Sequence, residues 1–158
     1  MSSEAPTEAD IIAGHCLASR TRALNRVITG IYNDALRSFG ISGSQLDILV
    51  MAARFGEAAP SDLCRALTLD PSTLSRNTKR LRAKGWLETV TAADSRSHPF
   101  TITKKGRAMI ERAFPAWRGA QEKARGLLGR EGTVFLSNLT PGGETGGETG
   151  GGAAAVLG

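Results

Sequence analysis

The stretch from Asp70 to Gly85 constrains the fold more than any other part of the chain. Asp70 is a favoured N-cap residue, and Pro71 suits the first helical position because its missing N–H would have no partner there. The residues of one face recur with the helical period and can pack on a preceding helix: Leu74, Thr78 and Leu81. Gly85 then suits the C′ position, with Trp86 placed to close the helix end. The spacing therefore predicts one helix between Pro71 and Gly85.

The opposite face of this predicted helix carries hydroxyl groups and cations. Its members are Ser72, Thr73, Arg76, Lys79 and Arg80. Cationic side chains attract phosphates, and hydroxyl groups can bond to phosphates or base edges. This composition is typical of a recognition helix that enters a DNA major groove.

The positive charge of the chain is concentrated around the same helix. Between Pro60 and Arg107 there are ten Lys and Arg residues and four Asp and Glu residues, which gives a net charge of +6. The whole chain carries only +5, with a pI near 9.8. A basic balance indicates an anionic partner, either nucleic acid or an acidic membrane surface. The concentration of positive charge around the predicted recognition helix favours nucleic acid.

Two short helices are predicted between Ser42 and the recognition helix. Ser42 and Gln45 form a capping box that opens the first, and Gly56 ends it. Pro60 begins the second, which runs to about Leu67 and turns directly into the recognition helix. This order is that of a helix-turn-helix.

Two short strands are predicted after the recognition helix, over residues 86–91 and 98–103, with a charged loop at 92–97. Pro99 cannot donate a ladder hydrogen bond, so the second strand should be an edge strand or bulged there. Thr103 can cap a following helix. The pattern predicts a two-stranded wing.

A long helix is predicted at the start of the chain, from Glu8 to about Phe39, with Thr7 and Asp10 as its capping box. Its apolar stripe exceeds what a small domain can cover, so part of it should pack against a second subunit. Gly40 should end it.

After the wing, another helix should be kinked or split at Pro115, because proline removes a backbone donor and clashes with the preceding turn. It should resume from Trp117 to Leu128, and a further short helix is predicted at 132–139.

The wing residues resemble the MarR family of bacterial winged-helix transcription regulators. Asp94-Ser95-Arg96 followed by residues 101–106 resembles the D-x-R…L-T-x-x-G signature of that family, with Ile102 in place of the usual Leu. Further similarity is carried by Ile41-Ser42 with Gln45, Asp70 to Arg76, Lys84-Gly85, and Pro115-Ala116-Trp117 with Gln121. The resemblance covers about residues 10–140.

This resemblance implies a mainly α fold with a small two-stranded β-wing. A flexible N-terminus at 1–9 would precede a winged helix-turn-helix domain at 10–140. Within that domain, the reading head would occupy about 42–106 and the dimerisation helices about 10–39 and 104–140. The tail at 141–158 contains the direct repeat GGETGGET, which should be disordered because glycine at this density cannot offset the entropy of folding. It falls where the last dimerisation helix of the family should run.

The resemblance also implies a homodimer that binds double-stranded DNA. Arg96 would enter the minor groove, and Asp94 would hold the wing loop by pairing with a nearby arginine. The residues that would meet base edges and phosphates are Ser72, Thr73, Ser75, Arg76 and Lys79. The implied function is a transcriptional repressor that a small, often aromatic, ligand releases from DNA.

Cys16, Tyr32 and Trp117 are the candidate effector-pocket residues, although core packing explains each of them more simply. Two alternatives stay open. One is a regulator switched by oxidation of Cys16, for which loss of peroxide-induced release in Cys16→Ser would be evidence. The other is a winged-helix protein-interaction module without specific DNA reading.

Other classes of function find no support in the sequence. It has no phosphate-binding glycine loop and no nucleophile elbow, so we expect no enzyme activity. The two histidines and two cysteines lack metal-ligand spacing, so we expect neither a metal nor a cofactor. No secretory leader or membrane-spanning run is visible in the sequence, so we expect a reducing cytoplasm as the location.

Overall fold

The computed structural model describes residues 5–91 and 98–139 and is mainly helical, with one two-stranded antiparallel sheet. The elements in chain order are α1 Glu8–His15, α2 Leu17–Leu36, a 3-10 turn Arg37–Phe39, α3 Gly43–Phe55, α4 Pro60–Leu67, α5 Pro71–Ala83, β1 Leu87–Thr89, β2 Phe100–Ile102 and α6 Lys104–Ser137. The predicted fold class, a winged helix-turn-helix with flanking long helices, is confirmed. None of these helices is both long and apolar enough to cross a membrane.

The predicted capping boxes are both present. The Thr7 hydroxyl accepts a hydrogen bond from the Asp10 backbone N–H at 3.3 Å, and the Asp10 carboxylate accepts one from the Thr7 N–H at 2.9 Å. Ser42 and Gln45 make the same reciprocal pair at 3.3 and 3.2 Å. Each box satisfies backbone donors that the first turn of a helix leaves unpaired.

The core surrounds α3, which packs against α4, α5, α6 and β2. The largest fully buried side chains are Leu36, Ile48, Leu49, Leu63, Leu81 and Leu87. The inner face of α5 is the predicted one, since Leu74, Thr78 and Leu81 are all buried. Thr78 donates its hydroxyl to the Leu74 carbonyl at 3.0 Å, so its burial leaves no unsatisfied donor.

The wing sheet is shorter than predicted. Leu87 pairs with Ile102 and Thr89 with Phe100, while the predicted loop at 92–97 lies outside the described residues. Phe100 also exchanges two hydrogen bonds of 2.8 Å with Ala58, which ties the wing to the segment between α3 and α4. Pro99 precedes the strand and contributes only its carbonyl, which accepts from Val90 N at 2.8 Å. The wing is therefore tied by backbone hydrogen bonds to the segment between α3 and α4.

The prediction of one continuous helix from Glu8 to Phe39 is wrong. Cys16 has an extended backbone, with φ −64° and ψ 107°, and separates α1 from α2. No residue of α1 is buried, so no tertiary packing offsets the helix-weakening effect of Gly14. Gly40 ends the 3-10 turn that follows α2, as predicted.

Of the predicted kink or split at Pro115, the split is wrong. α6 runs through Pro115 with helical backbone angles and leaves them only at Gly129, where φ is 68° and ψ is −177°. Ala113 is buried and Trp117 packs against the core, and this packing holds the helix on both sides of the proline. Gly129 is exposed and accepts a positive φ without strain. The predicted short last helix corresponds to the part of α6 after this break.

A substitution at Gly106 tests how closely the start of α6 approaches Trp86 and the wing strand β2. A Cβ there would lie 2.2 Å from the Trp86 carbonyl oxygen and 2.7 Å from Ile102 Cγ1. We expect Gly106→Ala to lower the free energy of unfolding by about 1–3 kcal/mol or more, because the backbone must move to admit the methyl group. Urea unfolding followed by circular dichroism would measure it.

Gly119→Ala in the same helix is the matched control. A Cβ at Gly119 meets nothing within 4 Å, so this variant should gain about 0.5–1 kcal/mol from helix propensity. Equal stabilities of the two variants would contradict the close approach of α6 to Trp86.

Candidate DNA-binding surface

The start of α5 is organised by the Asp70 carboxylate. It accepts hydrogen bonds from the Thr73 backbone N–H at 2.8 Å, the Ser72 hydroxyl at 2.5 Å and the Thr73 hydroxyl at 2.6 Å. These bonds, those from the two hydroxyls first, hold the pKa of Asp70 well below its usual range. Both hydroxyls are thereby fixed with their hydrogens toward Asp70, so each can accept a hydrogen bond on its lone pairs, one of which on Thr73 is taken by Arg76.

The cations of α5 point to solvent. Arg76, Lys79 and Arg80 are exposed, and no carboxylate of residues 5–91 and 98–139 lies within 4.0 Å of their charged nitrogens. Arg76 Nη2 donates to Thr73 Oγ1 at 3.2 Å, which brings one guanidinium beside the capped turn. This side of α5 therefore presents its charge to an external anion.

The structure brings six of the predicted DNA-binding residues together. Ser72, Ser75, Arg76, Lys79 and Arg80 are exposed on α5, and Thr73 is half-buried beside them. We call this set the reading face. Asp94 and Arg96, the other two, lie outside the described residues.

The end of α5 is fixed by a Schellman-type arrangement. Gly85 has φ 70°, its N–H donates to the Arg82 carbonyl at 2.9 Å, and the Trp86 N–H donates to the Leu81 carbonyl at 3.0 Å. The predicted stop at Gly85 is confirmed. Lys84 is an addition that sequence reasoning missed: its Nζ lies 4.7 Å from the centre of the Trp86 ring and donates to the Gly40 carbonyl.

An open groove of about 1410 Å³ lies beside the reading face, between α4, α5 and the wing. Ser75, Lys79 and Arg82 form one wall, and Cys64 and Thr89 lie opposite. Cys64 is half-buried and packs against the core. The lining of the groove carries two cations, Lys79 and Arg82, and one carboxylate, that of Glu88.

Tyr32 and Trp117 meet at a second cavity, of about 330 Å³, between α2, α3 and α6. The Tyr32 hydroxyl donates to Gln121 Oε1 across the two long helices. Partial burial, more than the nearby Asp47 charge, raises the pKa of Tyr32, so its hydroxyl stays protonated as a donor. We call this space the α2–α6 cavity.

Cys16 is not among the residues that line the α2–α6 cavity. It lies instead at the break between α1 and α2, where the predicted continuous helix is interrupted. Hydrogen bonding to Ser19 lowers the pKa of its thiol. In the described part of the chain, no cluster of three or more His, Cys, Asp or Glu side chains could hold a metal ion.

Comparison with known proteins shows which family this chain is similar to. The model of the MarR family matches residues 39–97, which contain α3, α4, α5 and β1. Among curated proteins, the uncharacterised HTH-type transcriptional regulator YwoH of Bacillus subtilis is 27% identical over 86 residues. That alignment covers 54% of this chain and 63% of YwoH, so the match spans less than two thirds of the relative.

Solved structures show the same fold over a longer stretch. The M. tuberculosis transcriptional regulator MOSR, solved in complex with DNA, is 28% identical with a TM-score of 0.68, and 78% of this chain and 90% of that one are covered. BpsR of Bordetella bronchiseptica, described with regulation of its DNA binding by 6-hydroxynicotinic acid, is 19% identical with a TM-score of 0.70, over 78% and 94% of the two chains. The fold of this chain is therefore that of the family matched by residues 39–97.

The Asp70 cap predicts a specific pH dependence of stability. Asp70→Asn keeps an oxygen that can accept from Thr73 N–H but removes the charge. Because folding lowers the pKa of Asp70, its stabilising contribution is complete above the unfolded value of about 3.9 and is lost as the pH falls toward the folded value. We expect the difference in Tm between the natural protein and Asp70→Asn to shrink as the pH is lowered from about 7 to about 2.

Differential scanning fluorimetry of both proteins across this range would make the measurement. A constant difference in Tm at all pH values would show that the charge of Asp70 does not strengthen the cap.

Proposed function

We propose that this chain, which belongs to the MarR family, is a transcriptional repressor that binds double-stranded DNA as a homodimer and is released by a small ligand. The observation that carries the proposal is the reading face of α5, whose cations and fixed hydroxyls face solvent while Leu74, Thr78 and Leu81 are buried. An electrostatic surface alone needs no ordered hydroxyl groups. Their presence among the cations favours reading of bases over non-specific attraction.

Each group of the reading face has a distinct part in the proposed complex. Lys79 and Arg80 neutralise phosphates and fix the position of α5 on the duplex. The lone pairs of Ser72 and Thr73 accept from donors on base edges, such as the amino groups of adenine and cytosine. Arg76 beside Thr73 can pair with guanine. Arg96 in the wing loop enters the adjacent minor groove.

The homodimer is supported by apolar side chains that the protomer leaves exposed. They are concentrated on α1, the start of α2 and the second half of α6: Ile11, Ile12, Leu17, Leu127, Val134 and Phe135, each between 49% and 77% exposed. Large exposed apolar side chains concentrated on the flanking helices favour a protein–protein interface there. A second copy that covers these helices would place two reading faces on one duplex.

Release by a ligand is supported by the α2–α6 cavity. It is bounded by an aromatic ring from Trp117 and by the polar Tyr32–Gln121 pair, a combination suited to a small aromatic molecule with a polar group. BpsR, whose DNA binding 6-hydroxynicotinic acid regulates, has the same fold. That acid is therefore a reasonable first compound to add to the DNA complex described next.

Fluorescence anisotropy on the DNA upstream of the chain's own gene tests the function, with a scrambled duplex as control. Between about 50 and 200 mM salt, phosphate-only binding falls steeply. We expect a preference of about a thousandfold or more for the upstream duplex. Arg96→Ala should weaken that binding by about 1–3 kcal/mol, and Lys79→Ala should weaken both duplexes and lower the salt slope by about one.

Equal affinity for both duplexes, lost together as salt rises, would overturn the proposal. It would instead favour the alternative of a winged-helix module that binds another protein.

The dimer is tested by a charge placed on the exposed end of α6. Phe135→Glu should shift the protein toward monomer in sedimentation velocity, because a carboxylate in an apolar interface is costly. Phe55→Glu is the matched control: Phe55 is 45% exposed at the end of α3, beside Asp62 and Arg65 of α4, and the variant should keep the natural oligomeric state. A monomeric natural protein, or equal behaviour of the two variants, would contradict the proposed interface.

A further inference from the structure

The segment at residues 40–45, which we call the α2–α3 junction, connects the end of the long helix α2 with the start of α3. Two polar contacts run from this junction to the recognition helix α5. The first comes from Lys84, whose ammonium group donates to the Gly40 carbonyl. That ammonium group also lies 4.7 Å from the centre of the Trp86 ring. Lys84 therefore joins the end of α5 directly to the end of the α2 segment.

The Trp86 partner of Lys84 is itself held in place. Its N–H donates to the Leu81 carbonyl at 3.0 Å, and its carbonyl accepts from Thr103 N at 3.2 Å. Gly106 approaches the same carbonyl closely. The Lys84 ammonium is thus fixed between the junction on one side and the α5–wing corner on the other.

The second contact reaches the middle of α5. Gln45 is one of two buried polar residues in the described chain, with 7% of its surface exposed. Its Oε1 accepts from Ser42 N at 3.2 Å, and its Nε2 donates to Asn77 Oδ1 at 3.4 Å. The residue that closes the α3 capping box is therefore also the residue that binds α5.

The junction is connected in the other direction to α2 and to the α2–α6 cavity. Asn33 Oδ1 accepts from Gly43 N at 2.9 Å, and Gly43 and Ser44 line the cavity beside Tyr32. Contacts therefore run from the α2–α6 cavity through Gly43 in the junction to Gln45, and from Gln45 to Asn77 of α5.

We propose that Lys84 and Gln45 are positioning residues that set the orientation of α5 relative to α2. This inference rests on the proposed DNA-binding function. Apolar contacts fix separation but allow sliding, whereas hydrogen bonds weaken steeply when their angles change. Two bonds, one at the middle of α5 and one at its end, therefore fix its angle as well as its distance. Because two recognition helices must match successive major grooves, about 34 Å apart, a change in this angle reduces specific binding first.

The test compares three variants on the upstream and scrambled duplexes. Lys84→Met keeps the aliphatic packing on Trp86 and loses the bond to Gly40, while Lys84→Arg keeps a donor and the charge. Arg82→Met removes one charge from the same last turn of α5 without breaking a described contact to the junction. We expect Lys84→Met to reduce the preference for the upstream duplex about tenfold or more, the effect of losing one charge-assisted bond. Lys84→Arg should restore most of that preference.

The charge control separates positioning from phosphate contact. Arg82→Met should weaken both duplexes by similar factors and lower the salt slope, whereas Lys84→Met should leave the slope near that of the natural protein. If Lys84→Met instead lowers both affinities equally and reduces the salt slope, Lys84 acts as a phosphate contact and the inference is wrong.

Asn77→Leu is a fourth variant, which tests the second contact and covers the case in which Lys84→Met does not fold. It removes the contact to Gln45 but leaves the α3 capping box intact, and it should also reduce the preference for the upstream duplex. Tm values from circular dichroism would show whether each variant keeps the stability of the natural protein. Full retention of the preference in both Lys84→Met and Asn77→Leu would overturn the inference.

Hydrogen exchange of the protein without DNA separates this inference from the proposed function. The backbone amides of residues 81–86 should exchange faster in Lys84→Met than in Arg82→Met, because loss of the Lys84 contact releases the end of α5. If the natural protein shows no duplex preference, the proposed function fails, and faster exchange would still show that Lys84 holds α5. Unchanged exchange in Lys84→Met would overturn the positioning role whatever the DNA result.

Discussion

The burial of one face of α5 determines what the rest of this structure can do. Leu74 and Leu81 are at most 3% exposed, and burying a leucine side chain is worth about 1.5–3 kcal/mol. A rotation of α5 by one residue, about 100°, would expose both leucines and turn cations toward the core. No single polar contact of the helix can offset that cost. The rotation of the helix, and with it the reading face, is therefore set by packing.

Packing sets the rotation of α5, but polar contacts set its ends and its tilt. The Asp70 carboxylate begins the helix, and the positive φ of Gly85 ends it. Beyond that end, the chain enters a wing that is held by Ala58 on one side and by the close approach of Gly106 on the other. Lys84 and Gln45 add the connection to α2. Buried apolar area thus supplies most of the stability of α5, and directional hydrogen bonds set its orientation.

Sequence reasoning succeeded where the signal is local and failed where it depends on distant partners. The caps at Thr7, Ser42 and Asp70 each need residues at most three positions apart, and all three are present. The contacts of Lys84 with Gly40 and of Gln45 with Asn77 join residues 44 and 32 positions apart, and no local pattern indicates them. Pro115 shows the opposite error, since a strong local signal for a break was overridden by packing around Ala113 and Trp117. The predicted roles of Asp94 and Arg96 stay predictions.

The first helix gives the clearest physical reason to expect a second copy of the chain. α1 has eight residues, a length at which an isolated helix is marginal in water, and it buries none of them in the protomer. Its capping box satisfies the first backbone donors but cannot replace tertiary packing. Ile11 and Ile12 are instead exposed, as Phe135 is on α6. A partner that covered these residues would stabilise α1 and also hold α2, to which the recognition helix is joined through the α2–α3 junction. Dimerisation and DNA reading would then depend on one continuous set of contacts, from α1 through α2 to α5.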